Sequence, residues 1–161
     1  MNSGKNLSIL GGILTLISTY FLAYYQSGFA YAYGFGALIR IPQMFADAPS
    51  YGSALGIPFL LVYLIAVSLF IFLMSGIFQI MIGINRVIAI IGSIFALCGA
   101  IFLFLVHSGV LPITYEILFI WDPILQGILP FHVDIASYSL GIYILLIGSV
   151  LSLIGGILKR D

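Results

Sequence analysis

Charge is scarce in this sequence. Five basic and five acidic residues amount to 6% of 161 positions, against about a quarter in soluble domains. Hydrophobic residues make up 63%, and the mean hydropathy is +1.27. A water-soluble core of this size cannot hide so much apolar surface, so the expected solvent is lipid. The charges cancel, which leaves no basic patch for nucleic acid and no acidic tail. Cysteine is nearly lacking. Cys98 is the only one, so no intrachain disulfide holds the loops. It lies inside an apolar run and reads as a small packing residue. Ionisable residues are missing from the middle of every apolar run, where proton relays, voltage sensors and ion-coupled carriers place one.

Four apolar runs remain, at about residues 7–25, 59–84, 87–106 and 138–158. Each can cross a hydrocarbon core of about 30 Å as a helix. Lys5 ahead of the first run and Ala30-Tyr31-Ala32 after it imitate a cleaved signal peptide. The run is long for a signal core, and its pattern recurs later, so it is read as a retained span. Gly83-Ile84-Asn85-Arg86 is a tight turn that makes the second and third spans antiparallel neighbours. Gln79 is expected at the membrane interface. Lys5, Arg86, Lys159 and Arg160 fall on one side, whereas Arg40 falls on the other with Asp47, Glu116, Asp122 and Asp134. The positive-inside rule then places both termini in the cytoplasm of a multi-pass plasma-membrane protein, with loops 26–57 and 107–137 outside.

The first span carries a ladder of small residues that returns 81 positions later (89 − 8 = 81). Ser8, Gly11, Gly12, Thr15, Ser18 and Thr19 become Ala89, Gly92, Ser93, Ala96, Gly99 and Ala100. Loop landmarks follow the same shift: Ser27-Gly28 falls on Ser108-Gly109, Pro42 on Pro123 and Pro49 on Pro130. With one residue deleted, Ser75-Gly76 falls on Gly155-Gly156. The expected fold is therefore an all-α integral membrane protein with a single domain over residues 1–161. It is a four-transmembrane-helix bundle made of two parallel repeats, about 5–80 and 86–161, with interfacial segments in the two outer loops. Those segments are a short helix near Phe35–Phe45 and a helix over Ile113–Leu129 broken at Pro123. Phe29–Phe35 is expected to hug the membrane, and Trp121 to anchor at its surface.

Lipid offers little hydrophobic force between helices, so close approach through small side chains drives their association. Gly11, Gly12, Thr15, Gly92, Ser93, Ala96, Gly148, Ser152 and Gly155 are the expected helix-packing residues. Candidate chemistry is confined to the second outer loop. His107, His132 and Asp134 are candidate metal ligands, with Glu116 and Asp122 nearby in sequence, although no ordered ligand spacing supports them. A haem ligand would sit within a span, and neither histidine does. The alternative for these residues is solvated loop charge, with one acid paired to Arg40. Ser27-Gly28 and Ser108-Gly109 read as helix stops with left-handed glycine, and His107-Ser108 does not make a triad. The plan of four spans and two outer loops resembles the claudins and tetraspanins in topology alone. The first loop lacks Trp and Cys, and there is no Cys-Cys-Gly.

The first functional expectation is a structural or accessory membrane protein without catalysis or cofactor, embedded in the bilayer as a homo-oligomer or part of a larger membrane complex. The second is a transporter or channel with a path near the pseudo-two-fold axis. The third is a metal- or haem-binding enzyme or redox subunit that uses the second outer loop.

Overall fold

The computed structural model describes residues 3–125 and 127–158. Lys159, Arg160 and Asp161 lie outside them. The chain is mostly helical. Helix α1 (Ser3–Phe21) leads into a hairpin of β1 (Tyr25–Ser27) and β2 (Ala30–Ala32), then α2 (Gly34–Ala46) and α3 (Ala48–Leu55). Helix α4 (Phe59–Ile80) ends in a 3-10 turn, Met81–Gly83, and α5 (Arg86–His107) follows directly. A 3-10 helix (Ile113–Leu118), strands β3 (Ile120–Trp121), β4 (Asp134–Ile135) and β5 (Tyr138–Ser139), and α6 (Leu140–Ile157) complete the order.

Three helical stretches, Phe59–Gly83, Arg86–His107 and Leu140–Ile157, are long and apolar enough to cross a membrane. Helix α1 is not among them. Lys5, Asn6 and its hydroxyl side chains lower its average hydropathy. Those hydroxyls, however, face protein: Ser8, Thr15, Ser18 and Thr19 are buried, while Leu10, Ile13, Ile17 and Phe21 are exposed.

The four long helices pack in cyclic order, α1 against α4 and α6, and α5 against α4 and α6. Gly12 lies against Gly76, Gly92 against Ser75, and Gly155 against Gly4, so neighbours run antiparallel. Asn85 shapes the turn between α4 and α5. Its Oδ1 accepts from the Val87 and Ile88 amides at 2.9 and 3.3 Å, which satisfies two of the orphan donors at the start of α5. Arg86 spans to the far end of α6. Its Nε donates to the Gly156 carbonyl and its Nη2 to the Ile157 carbonyl, the latter at 2.6 Å. The cation thus sits on the negative end of the α6 dipole.

At the opposite end, loops 26–57 and 107–137 build a cap that corrects the all-α expectation. Strands β1, β2 and β3 form one antiparallel sheet, with Tyr31 opposite Trp121 and Ala32 opposite Ile120. Helix α1 stops at Phe21, so residues expected to end the first span, Tyr24 and Tyr25, belong to the cap. Gly28 (φ +62°) turns the hairpin instead of ending a helix, while Gly109 (φ +76°) does follow the end of α5. The segment expected to hug the membrane, Phe29–Phe35, supplies the hairpin turn, β2 and the start of α2. The interfacial helix near Phe35–Phe45 exists as α2, with Pro42 inside it. Among the described residues of Ile113–Leu129, helical structure is confined to Ile113–Leu118, ending before Pro123, because the chain there joins the sheet.

The two halves do not share one geometry. The first long loop holds α2 and α3, whereas the second holds a 3-10 helix and strands. The even-numbered spans also differ in register. Gly12 faces Gly76, but Ser93, its equivalent 81 positions on (93 − 12 = 81), meets Ser152. The sequence alignment would bring Gly156 there, four residues (156 − 152 = 4) or about one turn away.

Candidate functional site

A polar cluster lies where the two long loops meet the end of α5. His107, in the last turn of α5, has Nδ1 3.5 Å from Glu116 Oε1 and Nε2 2.9 Å from the Ser137 carbonyl oxygen. Both neighbours are acceptors. A neutral imidazole donates to one of them, and an imidazolium to both. The second Glu116 oxygen accepts from Ser27 Oγ at 3.1 Å. Tyr25 stacks on the His107 ring at 4.1 Å, and Tyr138 meets its edge at 5.0 Å. Glu116 is buried, held by one residue from the first loop and one from α5. Ser27 donates to the carboxylate and not to the imidazole, so the cluster is not arranged as a serine nucleophile activated by a histidine base.

Two further contacts join the halves. Arg40 of α2 rests over the Trp121 ring, 4.8 Å from its centroid, a cation–π contact. This replaces the expected ion pair, since no carboxylate pairs with Arg40 among the described residues. Tyr33 donates to the Asp122 carbonyl at 2.9 Å. Burial, with Asp122 nearby, raises its phenol above the ordinary value. The candidate metal ligands are divided. His132 Nε2 lies 2.8 Å from Asp134 Oδ1, which an extended chain permits for residues two apart. His107 is instead taken by Glu116. No group of three or more His, Cys, Asp or Glu suited to a metal occurs among the described residues.

The helix-packing candidates line the inside of the bundle. Gly11, Gly12, Thr15, Gly92, Ser93, Ala96, Gly148, Ser152 and Gly155 are all buried. A Cβ on Gly11 would press on the Gly148 carbonyl and come within 2.6 Å of the Ser152 amide nitrogen. Backbone meets backbone there, as glycine alone allows. Hydroxyls connect the helices at this level. Ser93 Oγ lies 2.8 Å from Ser152 Oγ, which lies 2.9 Å from Ser8 Oγ. Ser8 donates to the Gln79 carbonyl at 3.0 Å, and Thr15 to Gln79 Oε1 at 3.0 Å. One chain of polar contacts thus touches all four long helices.

Gln79 corrects the expectation of an interfacial side chain: it is fully buried. Its own type was the available signal, since a polar residue within an apolar helix faces protein more readily than lipid. The stacking of Tyr25 on His107 and of Arg40 on Trp121 had no local signal, because both depend on how the loops interlock. No family model, curated protein or solved structure matches this chain.

Proposed function

We propose that this chain is a small multi-pass membrane protein with a non-catalytic structural or accessory role, in which α1, α4, α5 and α6 all cross the bilayer. The outer cap would then serve as a docking surface for further copies or for a larger membrane complex. The observation that carries this reading is the exposed apolar surface of an otherwise well-tied cap. Phe29, at the hairpin tip, is 98% exposed, and Val110 and Ile113 are each 69% exposed. Apolar groups held outward on a braced framework suit contact with a partner. The chain of hydroxyls also argues against a transport path near the axis, since these side chains bond one another where a path would run.

Duplication followed by divergence of the outer loops accounts for the shared small-residue ladder of α1 and α5. Lys5 and Arg86 at one end of the bundle and Arg40 at the other favour termini in the cytoplasm.

Native mass spectrometry of protein extracted gently from its own membrane tests the role. The expected result is an assembly heavier than one chain, containing copies of it or a second protein. A monomer carrying a stoichiometric metal or haem would contradict the proposal and favour a redox or metal role for the second outer loop.

A further inference from the structure

We propose that the chain binds an anionic membrane lipid across the 3-10 helix Ile113–Leu118, with the acyl chain between α4 and α5 and the phosphate at Arg40. An apolar groove of about 510 Å3 opens between these two helices, within the range of small-ligand pockets. Leu61, Leu64 and Ser68 of α4 and Phe95, Cys98 and Phe102 of α5 line it. Small side chains at Ser68 and Cys98 leave the space, and bulky ones bound it. Both helices are apolar enough to cross a membrane, so the groove opens to hydrocarbon.

Tyr115 and Leu118 close one end of the groove. Their neighbours Thr114 and Ile117, in the same 3-10 helix, line a second cavity of about 390 Å3 together with Arg40. The 3-10 helix is therefore a wall common to both spaces. The junction between α3 and α4 is another, with Ala54 lining the second cavity and Ile57 the groove.

Charge selects the occupant. Arg40 is a cation with no carboxylate partner among the described residues. Its Nη1 donates to Gln43 Oε1 at 3.2 Å, and its Nη2 makes no hydrogen bond among the described residues. A planar guanidinium with an unused N–H is suited to a phosphate oxygen. Glu116 also lines this cavity; one of its oxygens accepts from Ser27 and the other lies 3.5 Å from His107, so the phosphate binds on the Arg40 side, away from the carboxylate. An apolar tail and a phosphate bearing net negative charge belong together in an anionic phospholipid.

The full-length protein in nanodiscs of equal phosphatidylglycerol and phosphatidylcholine provides the test, read by native mass spectrometry after release. Retention of phosphatidylglycerol should exceed that of phosphatidylcholine about threefold or more, because both offer Arg40 a phosphate but only phosphatidylcholine brings a quaternary ammonium that offsets the charge. Arg40→Gln should abolish the preference, and Ser68→Phe, which fills the groove from its open side, should reduce retention of both lipids. Equal retention of the two lipids by the wild type would overturn the proposal, as would a preference that survives Arg40→Gln. If Arg40→Gln does not fold, undiminished retention in Ser68→Phe would overturn it. The proposal requires only that α4 and α5 face lipid, so its failure would leave the oligomeric reading standing.

Discussion

Ser152 sits between Ser93 and Ser8, within 2.9 Å of both, so its hydroxyl bonds to two other helices at once. Interhelical hydrogen bonds in lipid are worth about 0.6 kcal/mol on average, because the separated helices also find partners. Ser152→Ala should lower stability by about 1 kcal/mol in a reversible detergent titration. In a Ser8→Ala/Ser93→Ala double-mutant cycle the two effects should be non-additive, since both act through Ser152. Strict additivity would show that the hydroxyls act separately. Glycine contacts carry more. At Gly11 an added side chain meets backbone, which cannot rotate away, so Gly11→Leu should destabilise by about 3 kcal/mol or more. Ile13 is 43% exposed, so Ile13→Leu should leave thermal melting in detergent nearly unchanged. Equal melting of the two variants would show that α1 does not turn this face inward.

At the scale of elements, the helices were legible because each is long, apolar and bounded by local signals. Pro58 and Asn85 precede α4 and α5, and both helices fall within one residue of their expected starts. The small-residue ladder of α1 identified its buried face. The cap was not legible. Strands of two or three residues have no periodicity to detect, and β3 exists because β2, far away in sequence, offers it a free edge. The same contact hid His107–Glu116–Ser27, whose members are dispersed over both halves. Gly36 is the tightest point between the loops: a Cβ there would strike the Phe119 backbone. Tyr33 donates its amide to the Phe119 carbonyl at 3.1 Å beside it. Gly36→Ala should therefore speed hydrogen exchange across β2 and β3 by about tenfold while leaving α5 and α6 protected. Unchanged exchange in the cap would show that the loops do not depend on this approach.

For the whole molecule, the central claim is that α1 crosses the membrane with the other three long helices despite its lower hydropathy. Average hydropathy treats every side chain as facing lipid. In α1 the hydroxyls of Ser8, Thr15, Ser18 and Thr19 face protein, and the exposed large hydrophobic residues are Leu10, Ile13, Ile17 and Phe21. Cysteine labelling in intact cells with a membrane-impermeant maleimide, in a Cys98→Ala background, measures this directly. Asn6, Asn85, Ser53 and Thr114 are exposed positions outside the spans for single cysteine substitutions. Ser53→Cys and Thr114→Cys should label in intact cells, and Asn6→Cys and Asn85→Cys only after permeabilisation. Labelling of Asn6→Cys from outside while Asn85→Cys stays protected would contradict the account, because α1 would then not cross.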